Sequence, residues 1–184
     1  MTANNINEGF GTMSVDIDFL TIYAEIYLGM TAFFAIVATL RQTLGESLSP
    51  YQYLITRFFL EAGLATTAVT ITALGVAAIQ QDDSLGWQAL AWMLAIGSIV
   101  FQTSYLNRRR ALQPPPPSSK TAIVVMTGSF LAWLNLVFAL LGINPMSITA
   151  AAVVLLVTTM AASIAVFLIF VGSFMKIGEV ESSG

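Results

Sequence analysis

The sequence predicts an all-α fold: a polytopic integral membrane bundle of five transmembrane helices, with the N-terminus outside and the C-terminus cytoplasmic. Three observations carry this. Of the 184 residues, 57% are hydrophobic and 9% charged. A soluble domain carries roughly 25% charged residues, so this chain lacks the polar surface to cover a water-facing globule. Five apolar stretches approach or exceed the about 20 helical residues that a hydrocarbon core requires. Finally, the cations all fall in alternate connecting segments, which is how Lys and Arg orient a chain during insertion.

Taken in order, residues 1–17 form a polar, acidic tail. It has no basic n-region and no cleavage pattern, so no signal peptide is expected. The first span covers about 18–40. The second covers about 54–79, its helix starting earlier in the capping box Ser49-Pro50-Tyr51-Gln52. The third covers about 87–106, with Asp83 or Ser84 as cap. The fourth covers about 121–142, capped by Ser118 or Ser119, and the fifth about 147–175, capped at Asn144-Pro145. The last two form one apolar tract that, as a single helix, would run about 80 Å. Gly142 and Asn144-Pro145 mark where it folds back. A single five-helix domain thus spans 18–177, followed by a short tail at 178–184.

Charge tests this division independently. The inner segments 41–57, 107–120 and 176–184 hold Arg41, Arg57, Arg108, Arg109, Arg110, Lys120 and Lys176, all seven basic residues. The outer segments hold Glu8, Asp16, Asp18, Asp82 and Asp83 and no cation. Four or six spans would leave cations outside. This bias, without an export signal, fits a bacterial inner (cytoplasmic) membrane best.

Composition also excludes function classes. The chain has no His and no Cys, which removes imidazole acid–base chemistry, thiol nucleophiles, disulfides and the metal, haem and iron–sulfur sites built on those ligands. The loops are too short for a soluble catalytic domain, and no phosphate-loop, dinucleotide, nucleophile-elbow or zinc-protease motif appears. The expectation is a non-enzyme with no cofactor and no metal. A net charge of −3 and a short basic cluster free of aromatic residues argue against nucleic acid. Arg108, Arg109 and Arg110, followed by the stiff Pro114–Pro117 spacer, read as a cytoplasmic basic anchor with anionic lipid as a candidate contact.

Two acids lie within spans, where a charge needs a partner or a wet cavity. Helix arithmetic puts Glu25 and Glu61 about 16 Å apart in depth, too far to share a proton. Glu61 follows Arg57 by four residues, so the two share a helix face. Arg41 and Gln102 reach a similar level, which predicts an inner ion-pair cluster of Arg57, Glu61, Arg41 and Gln102, structural or gating. Glu25 has no cation at its level, and Asn135 is its candidate hydrogen-bond partner. The pair is a polar site that is either structural or an ion or proton site opening outward.

Helix periodicity then suggests which faces pack. On the first helix, Asp18, Thr21, Glu25, Gly29, Ala32 and Thr39 make a small, polar stripe expected to face the bundle. Tyr23, Tyr27, Met30, Phe33, Phe34 and Val37 would then face lipid. Small residues line both sides of the second helix, which predicts a central position. The functional expectation is a non-catalytic accessory or scaffold subunit of a membrane complex, or a homo-oligomer, with lipid, other membrane subunits or copies of itself as partners. The alternative is a small oligomeric ion or proton channel using Glu25.

Overall fold

The computed structural model describes residues 18–43, 49–112 and 120–181, apart from the side chains of Arg41, Tyr51, Thr121, Ala122 and residues 169–181. The N-terminal tail, the Pro114–Pro117 spacer, the Ser118 and Ser119 caps and residues 182–184 lie outside the described residues. The described chain folds into five helices: α1 Asp18–Thr43, α2 Pro50–Gln80, α3 Asp83–Arg110, α4 Lys120–Leu140 and α5 Ile148–Glu181. Each contains a stretch long and apolar enough to cross a membrane.

Local chemistry sets the helix ends. At the start of α2, Gln52 N donates to Ser49 Oγ (3.2 Å) and Ser49 N donates to the Gln52 side chain (3.1 Å). Pro50, which has no N–H to orphan, occupies the first turn. α2 ends on Gln81, which takes a left-handed conformation at φ 52°. The cap of α3 is therefore Asp82, one residue earlier than the sequence suggests, and its Oδ1 accepts from Ser84 N at 2.8 Å. α4 ends at a left-handed Gly142 (φ 70°). Ile143 N reaches back to Phe138 O (2.9 Å) and Gly142 N to Ala139 O (3.1 Å), the paired closure that a C-terminal glycine permits. α5 is capped by Ser147, whose Oγ accepts from Ala150 N, and not by Asn144, which the turn uses otherwise.

The Asp82 cap has a pH signature. Bonds from the Ser84 hydroxyl, and then from the Ser84 and Leu85 backbone, hold its carboxyl below the ordinary carboxylate range. A depressed folded-state pKa contributes stability that is present above the unfolded value of about 3.9 and is lost as pH falls through the folded one. Asp82→Asn keeps a competent cap but cannot titrate. Its melting temperature should therefore fall less than that of the native chain between pH 7 and pH 3. Parallel losses would remove Asp82 from the acid sensitivity.

The helices alternate in direction. Phe34 of α1 stacks on Phe59 of α2 at 4.3 Å between ring centroids, and Gly63 of α2 meets Thr31 of α1, an antiparallel register. α2 packs between α1 and α3, while α5 packs against α4 and α3. α5 also reaches α1 through side chains: Tyr23 Oη donates to Leu156 O (3.1 Å), and Tyr27 Oη shares a hydrogen bond with Ser163 Oγ (2.7 Å). One end of the bundle therefore carries Arg57 and Arg108. The other carries Asp18, Asp82, Asp83 and the 141–147 turn.

This arrangement reverses the expected face of α1. Tyr23, Tyr27, Thr31, Phe34 and Ala38 are buried, whereas Thr21, Glu25, Gly29, Ala32 and Thr39 are exposed. Phe33 does face outward, and Met30 and Val37 are half-buried. The physical reason is reach. A tyrosine fills a wide helix–helix gap with its ring and satisfies its hydroxyl at the far side, which small residues cannot do. α2 buries Gly63, Thr67, Thr70, Ala73 and Ala77, while its second small-residue side, at Ala65, Ala68 and Thr72, is exposed.

Candidate functional site

The first polar constellation lies at the basic end. One helical turn brings Arg57 Nε within 2.6 Å of Glu61 Oε1. Arg108, from the last turn of α3, places Nη1 2.7 Å from Glu61 Oε2. Each carboxylate oxygen thus holds one guanidinium, and the three side chains carry a formal charge of +1. Gln102 is half-buried and shares a cavity wall with Glu61 and Arg108. The Arg41 side chain lies outside the described residues.

Arg108 is the member that sequence reasoning placed elsewhere, in the basic anchor with Arg109 and Arg110. The available signal was side-chain direction. Helical side chains lean toward their own N-terminus, so a long residue at the end of α3 leans back into the bundle. Arg109 is half-buried and Arg110 is exposed.

Behind this cluster is a cavity of about 600 Å³, bounded by residues of all five helices. Its walls are largely aliphatic and aromatic, including Phe58, Val69, Leu94, Phe101, Trp133 and Leu155. Hydroxyls from Tyr27, Thr66, Ser98, Ser129, Thr159 and Ser163 punctuate them. Phe58 packs on Phe101 and Tyr105, with ring centroids 4.6 and 4.5 Å away. Trp133 donates its Nε1–H to Ala95 O at 2.9 Å, which fixes the indole as a wall. The volume lies within the roughly 300–1,000 Å³ typical of small-molecule sites, and few polar groups among apolar walls is their usual make-up. The sequence places Gln102 at the level of Glu61 but does not reveal the space beside them.

The second expected site does not assemble. Asn135 Oδ1 accepts from Asn144 Nδ2 at 2.5 Å, and Asn135 Nδ2 lies 3.7 Å from the Met146 sulfur. Asn144 Oδ1 accepts in turn from Met146 N. The amide therefore serves the α4–α5 turn and not Glu25. α1 packs mainly on α2, and α4 on α5 and α3, so the two residues stand on helices that are not principal neighbours. Glu25 is exposed. It sits seven residues, about 10 Å, inside the start of α1. Among the described residues, no side chain pairs with it.

Comparison of the chain with protein-family models, with curated protein sequences and with solved structures gives no match in any of the three.

Proposed function

We propose that the chain is a non-catalytic accessory subunit of a membrane complex that docks through the outer face of α1. Its N-terminus would lie outside and its basic segments on the cytoplasmic side of a bacterial inner membrane. One observation carries the reading: Glu25 points away from its own bundle at a depth that falls within a span. An acid exposed to hydrocarbon costs about 3 kcal/mol even on the mildest insertion scale, and a donor on a neighbouring helix removes most of that cost.

The surroundings suit such a neighbour. Thr21, Gly29 and Ala32 share the exposed face, and a Cβ added at Gly29 would meet nothing within 4 Å. Another backbone can therefore approach closely. The occupant that fits is a helix of a different membrane protein with a Lys, Arg or amide donor at this depth. A second copy fits less well, because a two-fold contact sets Glu25 against Glu25, and the chain's own cations lie in the segments at the opposite end.

Photo-crosslinking residues at Leu28 and Ala32, with Ile71 and Ile99 as exposed controls on α2 and α3, test this at native expression. The expected result is one adduct of fixed size from 28 and 32 and none from 71 and 99. Glu25→Leu should abolish it without lowering the melting temperature. Adducts spread over all four positions, a monomer without adducts, or indifference to Glu25→Leu would overturn the proposal. Self-adducts would redirect it to the homo-oligomer. In that case the channel alternative requires proton or ion flux into proteoliposomes that Glu25→Gln alters, and flux no greater than in empty vesicles removes it.

A further inference from the structure

The cavity and the cation cluster at its end join two chemistries in one place, and we propose that together they bind an anionic phospholipid. Its phosphate would sit on Arg57 and Arg108, and one acyl chain would lie in the cavity. The proposal concerns a different face from the one formed by Glu25 and its neighbours and stands or falls separately.

Three features define the ligand. The first is charge. Two guanidinium groups share a single carboxylate, so the cluster is one positive charge in excess. The bond to Glu61 uses one nitrogen of each guanidinium, whereas a guanidinium offers five N–H donors in a fork that suits phosphate oxygens. Gln102 and Ser104 line the cavity beside Arg108 and add neutral hydrogen-bonding groups there. The second is position. Arg108 is two residues from the end of α3, where the end of a span meets the headgroup layer.

The third is the shape and direction of the opening. Ala65, Gly97 and Val100 border the cavity and are exposed, and all three lie near the middle of their helices. The space therefore opens sideways at mid-span, toward hydrocarbon. A water-soluble ligand has no route through that opening. A lipid enters by moving laterally, its tail going into the apolar part and its head staying level with the arginines. An apolar space open to hydrocarbon fills with chains in any case, and the cation cluster selects which lipid supplies them.

The test is native mass spectrometry of the purified chain in mild detergent, titrated with phosphatidylglycerol or with diacylglycerol of the same acyl composition, which lacks the phosphate. The native protein should retain the anionic lipid at least about tenfold better, the size of one charge-assisted hydrogen bond. Arg108→Gln should remove that preference. Gly97→Leu, which leaves the arginines intact and fills the opening where a Cβ meets nothing, should lower retention of both lipids. Circular dichroism of each variant confirms that the helices persist. Equal retention of the two lipids by the native chain overturns the headgroup assignment, and unchanged retention by Gly97→Leu overturns the acyl-chain assignment. Displacement of phosphatidylglycerol by millimolar inorganic phosphate would show a phosphate site alone and would also overturn the proposal.

Discussion

Replacing Gly63 by alanine should force α1 and α2 apart and lower stability by about 3 kcal/mol, the upper part of the usual range for overpacking. A Cβ built at Gly63 falls on Thr31 Oγ1, with Thr31 Cγ2 at 2.8 Å and Thr31 Cβ at 2.9 Å. Rotating the threonine moves the first two atoms but leaves its Cβ in place, so the backbones themselves must separate. Thr31 Oγ1 also donates to Tyr27 O, which ties that side chain to its rotamer. Gly75 supplies the control, since a Cβ there meets nothing within 4 Å. Gly75→Ala should be neutral or stabilise by up to about 1 kcal/mol, the helix-propensity gain. Thermal unfolding in mild detergent separates the two. Repeating Gly63→Ala in a Thr31→Gly background should recover most of the loss, as expected for residues in direct contact. If Gly63→Ala proves as mild as Gly75→Ala, the close approach of α1 and α2 is wrong.

Thr31 and Gly63 also show what the sequence can and cannot convey. The five apolar stretches, the Ser49 capping box and the Gly142 fold-back are legible because each depends on local chemistry: hydropathy, an N–H to satisfy, a left-handed turn. Which face of α1 turns inward is not local. In a soluble protein the apolar face is the buried one, but lipid is as apolar as the bundle interior, and that contrast vanishes. Periodicity correctly groups Glu25 with Gly29 and Ala32, and Tyr23 with Tyr27 and Phe34. It has no term for the distance from α1 to α5, which only a tyrosine spans. The small-residue rule selected the wrong group because it assumes that packed backbones are close. That holds against α2 at Gly63 and fails against α5.

Arg57 and Glu61 are readable together because their spacing is intrahelical. Arg108 is separated from Glu61 by 47 positions and meets it only because the Gln81–Asp82 turn lays α3 back along α2. From the sequence, Asn135 is the natural partner for a buried acid, because depth is the only coordinate that helix arithmetic supplies. Its actual partner, Asn144, is nine residues away in the turn that α4 runs into. The reversal at α1 gives Glu25 its significance: an acid in an inward stripe would be satisfied within the chain, whereas the outward-facing one is the residue on which the proposed docking of α1 rests.

Tyr27→Ala should be the most destabilising single change in the described core, at about 3–5 kcal/mol, the range for removing a buried aromatic side chain. Tyr27 is 2% exposed, stacks on Tyr23 at 5.5 Å and borders the existing cavity. Its loss would enlarge a space that the neighbouring helices already fail to fill, so collapse around the truncated site would recover little. Tyr27→Phe isolates the hydroxyl. It keeps the ring, leaves Ser163 without its 2.7 Å partner, and should cost about 1 kcal/mol. Tyr23→Phe should cost no more, because its acceptor is a main-chain carbonyl within α5. Thermal unfolding of the three variants, with near-ultraviolet circular dichroism to follow the tyrosine environment, checks the order. If Tyr27→Ala were only as costly as Tyr27→Phe, α1 would not depend on its ring to stay docked on α5. The outward placement of Glu25 would then lose its structural support, since the two residues occupy opposite faces of one helix and only one of those faces can be turned inward.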